Sequence, residues 1–212
     1  MIAALLAAAA RAVAGGTVRW ASAPSDDRQR VFFANHTSHL DFILIWASLP
    51  PHMRKRARPV AARDYWEAGP IRRYLARKVF RAVLIERAAP AERVDRVDRN
   101  PGMRGREAIA RMVEVLDRED SLIVFPEGTR GSGVEVAEFK SGLYYLWRER
   151  PEVELVPVHL ENLNRVLPKG EFIPVPMITR VSFGPPLDCA EGEPKEAFLE
   201  RARQAVQRLG EP

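Results

Sequence analysis

The chain has 212 residues, 46% of them hydrophobic and 29% charged, with a formal net charge of +5. This length suits one compact domain, the apolar fraction supports a core, and the charge density excludes a wholly buried membrane bundle. The positive balance favours anionic partners (phosphate esters, anionic lipid surfaces or nucleic acid) without choosing among them, and a lone cysteine, Cys189, excludes an intrachain disulfide.

Residues 2–10 are uninterruptedly apolar before Arg11. A spanning helix needs about 20 such residues, and the basic start of a secretory signal is missing. Residues 1–16 are expected to form a short apolar helix that either packs on the domain or lies at a membrane interface. Short apolar runs at 31–34, 59–62, 82–85, 122–125 and 155–160 read as buried strands. Residues 177–183 alternate, with Met177, Thr179, Val181 and Phe183 on one face and Arg180 and Ser182 on the other.

Helical patterns separate these runs. The apolar stretch 40–49 stops at Pro50-Pro51. Residues 70–83 place Ile71, Tyr74, Leu75, Val79 and Phe80 on one side and Arg72, Arg73, Arg77, Lys78 and Arg81 around the rest, just after Arg54, Lys55, Arg56 and Arg58. Such a basic amphipathic stretch suits an anionic membrane surface or an acidic carrier protein, and equally a solvated helix face. Residues 88–102 read as a polar surface loop. Ile109, Met112, Val113 and Leu116 mark a helix over 103–116, and Phe198, Ala202, Ala205, Val206 and Leu209 mark another over 194–209. Strands alternating with helices predict a single α/β domain over 1–212, with a mixed, largely covered β-sheet flanked by helices.

Two constellations carry chemistry. His36 follows the strand 31–34, and Ser38 and Asp41 have capping-box spacing at the next helix. This sets an imidazole beside a carboxylate at a strand-to-helix corner. A carboxylate on one ring nitrogen fixes the tautomer and leaves the other nitrogen as a base. Asp41 as a plain cap, with His36 bonding backbone, is the rival reading. A metal site of His36, His39 and Asp41 matches no standard spacing. The second constellation is Phe125-Pro126-Glu127-Gly128-Thr129-Arg130-Gly131, directly after the strand 122–125. Arg130 there can clamp a phosphate, Gly128 and Gly131 allow close approach, and Glu127 can orient Arg130 or bond a substrate hydroxyl. Phe139-Lys140-Ser141-Gly142 adds a cation. The bland alternative is a tight turn with a surface ion pair.

Together these segments resemble the lysophospholipid acyltransferase family, which includes the 1-acylglycerol-3-phosphate acyltransferases. Asn35, His36 and Asp41 match its N-H-x-x-x-x-D block, Phe125 to Arg130 its F-P-E-G-T-R block, Ile85-Glu86-Arg87 and Val156-Pro157-Val158 two further blocks, in family order. The resemblance implies a glycerolipid acyltransferase-like fold and acyl transfer from a coenzyme A or acyl-carrier-protein thioester to the hydroxyl of a lysophospholipid, by default 1-acylglycerol-3-phosphate giving phosphatidate. It implies His36 as base and Asp41 as its orienting partner, and acceptor binding by Arg87, Glu127, Gly128, Thr129, Arg130 and Lys140. No bound cofactor, no metal and no enzyme-bound acyl intermediate are implied. A peripheral position on the cytoplasmic face of a membrane is expected, without a complete span. Departures are Glu86 where Asp is common, Arg63 where Lys is common, His159 after the V-P-V block, and a short N-terminal apolar segment. Another lysolipid acceptor, such as a lyso-ornithine lipid, stays open. A basic lipid- or nucleic-acid-binding domain is the rival class, but no nucleic-acid motif appears and none is expected as partner.

Overall fold

The computed structural model describes residues 2–14, 17–21, 28–38, 41–86, 101–131, 135–161, 179–190 and 192–211. The strands are β1 (Thr17–Trp20), β2 (Arg30–Ala34), β3 (Ala57–Ala62), β4 (Val83–Ile85), β5 (Ser121–Val124), β6 (Glu154–Glu161) and β7 (Arg180–Phe183). They form one seven-stranded sheet in the order β1-β7-β6-β2-β5-β3-β4. The five strands β6, β2, β5, β3 and β4 are mutually parallel, whereas β7 runs antiparallel to β6 and carries β1 parallel to itself.

The central strand β2 is buried at every position, as a strand covered on both faces must be. Its alternation divides the core in two. Phe32 and Ala34 join a cluster with α1 (Ile2–Ala14), α2 (Asp41–Ser48), α3 (Pro51–Arg56), the short α4 (Arg63–Trp66), and the π-helical turn Leu75–Val79 that continues α5 (Pro70–Tyr74). Val31 and Phe33 join the opposite cluster with α6 (Pro101–Leu116), α7 (Gly142–Glu149) and α8 (Lys195–Arg208). On the first face, Phe42 and Trp46 of α2 meet Phe80 edge-on, and Phe42 also meets Trp66. On the second, Trp147 of α7 stacks on Phe198 of α8 with ring centroids 5.0 Å apart.

Several expectations are refined. The N-terminal helix forms and packs on α2, burying Ala7 while Leu5 faces outward. The stretch 70–83 is not one helix. Its five-residue π turn, closed by Phe80 N–H to the Leu75 carbonyl, ends at Arg81 with φ +48°, and β4 follows. The upstream cations are not one free patch: Arg58 is buried in a two-pronged pair with Asp120 (2.9 Å to each oxygen), Arg56 bonds Glu119, and Arg54 lies over the Trp46 ring. In β7 both sides are covered, so Ser182 is buried as well as Val181 and Phe183. Residues 88–100 of the expected loop, and 177–178 of the alternating segment, lie outside the described residues. Among the described residues no helix is long and apolar enough to cross a membrane.

Phe198 has no exposed surface and anchors the second core. Phe198→Ala is expected to lower the unfolding free energy by about 3–5 kcal/mol, measured by urea denaturation against wild type.

Candidate active site

The strands β2 and β5 are hydrogen-bonded neighbours, Phe33 level with Val124. After β2 the chain turns toward α2 on one face; after β5 it turns toward α7 on the other. Two loops leaving adjacent parallel strands in opposite directions open a crevice at the strands' carboxyl ends, where open α/β sheets bind ligands. His36 and the 125–131 loop meet there.

The Asp41 carboxylate is fully buried at the start of α2. Its Oδ2 receives three donors: His36 Nδ1 at 2.8 Å and the backbone N–H groups of Thr37 at 2.6 Å and Ser38 at 2.9 Å. The capping contact and the His–Asp pair therefore coexist in one carboxylate. An ionised acceptor on Nδ1 fixes the proton there and leaves Nε2 as the acceptor nitrogen. The His36 side chain is 21% exposed, so the ring is accessible at one edge. Its flat face stacks on Phe125, centroids 4.4 Å apart.

Glu127 turns inward. It is 4% exposed, and Oε1 accepts the backbone N–H of His36 at 2.8 Å. Of the two roles read for Glu127, orienting Arg130 or bonding a substrate hydroxyl, the pairing with Arg130 is not formed. Burial pushes the Glu127 carboxyl above its usual range, opposed by the backbone N–H of His36, the His36 ring and the backbone N–H of Ala137. From the other end of the loop, the Gly131 N–H donates to the His36 carbonyl at 2.7 Å. Gly128 sits at φ +69°, where a side chain is strained. A Cβ there would also lie 2.8 Å from Lys140 Nζ, so the lysine crosses directly over this glycine. Thr129, Arg130 and Lys140 are exposed. Thus His36, Asp41, Glu127, Gly128 and Lys140 are brought together, Thr129 and Arg130 extend from the same loop, and Arg87 and His39 lie outside the described residues.

Three structural contributors carried no assigned role in the sequence reading. Asn35 is buried and bonds both backbone groups of Leu160 in β6, Nδ2 to O at 3.0 Å and N to Oδ1 at 2.8 Å, which ties down the end of β2. Phe125 is the platform under His36. Arg63, at the carboxyl end of β3, reaches the Leu84 carbonyl at 3.4 Å and has a buried Nε with no partner among the described residues. A polar residue directly after an apolar strand was the visible signal for Asn35; its partner 125 positions away was not readable.

The sequence pattern of the Acyltransferase family matches residues 19–161, which span β1 to β6 and both site loops. The chain belongs to the acyltransferase family. Among solved structures, the 1-acyl-sn-glycerophosphate (LPA) acyltransferase PlsC from Thermotoga maritima shares the fold, with a TM-score of 0.71 and 20% identity over 98% of this chain and 76% of that one. A comparison with curated protein sequences finds no match.

The Glu127 shift has a sign that stability measurements can read. Burial raises its folded pKa above the ordinary glutamate value of 4.5. The folded chain therefore binds this proton more tightly, and the stabilisation it gives is complete at pH below 4.5 and lost as pH rises through the folded pKa. Relative to Glu127→Gln, wild type should lose stability on moving from acid toward neutral pH, checked by urea melts of both proteins across that range.

Proposed function

We propose that this acyltransferase moves a fatty acyl group from a coenzyme A or acyl-carrier-protein thioester to the free hydroxyl of a lysophospholipid. The acceptor best supported is 1-acylglycerol-3-phosphate, giving phosphatidate. The observation that carries the reading is the His36 Nδ1–Asp41 Oδ2 contact of 2.8 Å at an accessible crevice. The acceptor oxygen attacks the thioester carbonyl carbon while His36 Nε2 takes its proton. The tetrahedral intermediate then collapses, the C–S bond breaks, and the imidazolium returns the proton to the leaving sulfur. Asp41 stabilises the charged ring and holds the tautomer. Arg130, exposed on the loop that carries Glu127, and Lys140, exposed over Gly128 of that loop, supply the cations for the acceptor phosphate, with Arg87 as a further candidate. The PlsC likeness supports the choice of acceptor through its fold.

The chain works at the cytoplasmic face of a membrane, as a peripheral protein. Supporting this are Leu5 on α1 and, on α5, Ile71 at 74% and Tyr74 at 50% exposure, one helical turn apart beside exposed Arg72 and Arg73. Apolar tips among cations suit an anionic bilayer surface.

In an acyl-transfer assay with 1-acylglycerol-3-phosphate, His36→Ala should reduce turnover by about 10²–10⁴-fold, the usual worth of general-base help, and Asp41→Asn should also lower it. Wild-type turnover in His36→Ala would overturn the mechanism. Arg130→Ala should chiefly raise the acceptor KM, by about tenfold, as loss of a charge-assisted contact does. Co-sedimentation should show binding to anionic vesicles, lost in Ile71→Asp/Tyr74→Asp. Tight duplex-DNA binding without vesicle binding would overturn the membrane reading.

A further inference from the structure

The geometry points to Glu127 as a positioning residue that holds the backbone of the catalytic histidine, rather than a ligand of the acyl acceptor; this rests on the role of His36 given above. His36 lies two residues beyond the end of β2, so its backbone N–H and carbonyl have left the sheet ladder. Buried backbone groups need partners. The loop after β5 supplies both: Glu127 Oε1 accepts the N–H at 2.8 Å, and the Gly131 N–H fills the carbonyl at 2.7 Å. Phe125 at the head of the same loop fixes the plane of the ring. Seven consecutive residues thus grip His36 at three points, while Asp41 grips the fourth at Nδ1.

A ligand of the acceptor needs an oxygen turned to the crevice. Glu127 is 4% exposed and directed at the His36 backbone. Its other oxygen lies beneath Gly131, where a Cβ would come within 3.1 Å of Oε2 and 3.7 Å of the His36 carbonyl. A side chain at Gly131 would therefore crowd the grip itself. A buried carboxylate is an expensive way to satisfy an amide, and its raised pKa records that cost. What a carboxylate adds over a neutral acceptor is charge. The charged groups facing Glu127 are the His36 ring and the Asp41 carboxylate. Both carboxylates favour the imidazolium that forms when His36 takes the acceptor proton.

The test separates grip, charge and ligand binding on the full chain. Glu127→Gln keeps an acceptor oxygen and loses the charge; Glu127→Ala loses both; Gly131→Ala crowds the clamp with Glu127 intact. The acceptor KM should stay within about twofold in all three, while kcat falls modestly in Glu127→Gln and Gly131→Ala and by at least about a hundredfold in Glu127→Ala, the scale of a misplaced catalytic group. The nitrogen-15 signal of the His36 backbone amide should shift in Glu127→Ala and Gly131→Ala, and the acid limb of the kcat/KM profile should move to lower pH in Glu127→Gln. If Glu127→Ala does not fold, Glu127→Gln and Gly131→Ala carry the test. A rise of tenfold or more in acceptor KM with kcat retained in Glu127→Gln would overturn the proposal. So would an unmoved His36 amide signal. The NMR readout needs no turnover, so a wild type that transfers no acyl group would sink the functional reading while still leaving the grip to be judged.

Discussion

The parallel pairing of β2 with β5 is the constraint on which the rest depends. Neighbouring parallel strands end at the same edge of a sheet, so residues that follow them are adjacent whatever their separation in sequence. Because α2 and α7 belong to opposite faces, the two chains must diverge at that edge, and the gap between them cannot be filled by either. His36 and Glu127 are 91 positions apart, yet each stands within three residues of its strand's end. The remaining architecture serves this register. Asn35 pins the end of β2 to β6, and the two aromatic-rich cores on opposite faces keep the strands from shifting.

Much of this was legible in the sequence because it is local. Asp41 is five residues from His36 and three from Ser38, and a helix start of that spacing places all three together by its own geometry. The two local readings of Asp41, cap and partner of His36, turn out to be one arrangement, since Oδ2 serves both. The apolar runs likewise announced β2, β5 and β6, which are covered on both sides along most of their length and hence largely hydrophobic, and the half-buried second half of β3.

What stayed hidden depends on partners far away in the chain. β1 is four residues long, mostly exposed, and is a strand only because β7 offers it an edge. The helix α7 holds five apolar residues in a row, 143–147, and such a short run does not by itself tell helix from strand; Leu143, Leu146 and Trp147 make sense as one face once α8 brings Phe198 against them. The π turn after α5 could not be read from a period of 3.6, because one extra residue in the turn is what carries Phe80 to Phe42 and Trp46. The inward direction of Glu127 was unreadable for the same reason. A loop reading naturally pairs an acid with the arginine three places on, whereas the acceptor-hungry backbone of His36 belongs to another strand.

Charge at the site is divided by depth, and electrostatics explains the division. The groups that set the base must be held before any substrate arrives, so they are buried and tied by hydrogen bonds: Asp41 with three donors on Oδ2, though none on its buried Oδ1, and Glu127 with the His36 amide. In such surroundings each carboxylate acts on the nearby imidazole with little screening. The cations proposed for the acceptor obey the opposite rule. A guanidinium or ammonium buried without a counter-ion would be costly, so Arg130 and Lys140 remain in solvent at the rim, Lys140 resting on Gly128 rather than on a carboxylate. Had Glu127 reached outward to Arg130, it would have neutralised the cation and released His36 at once. The inward turn keeps both free for different work, which is why one short loop can hold a base on its inner side and present positive charge on its outer one.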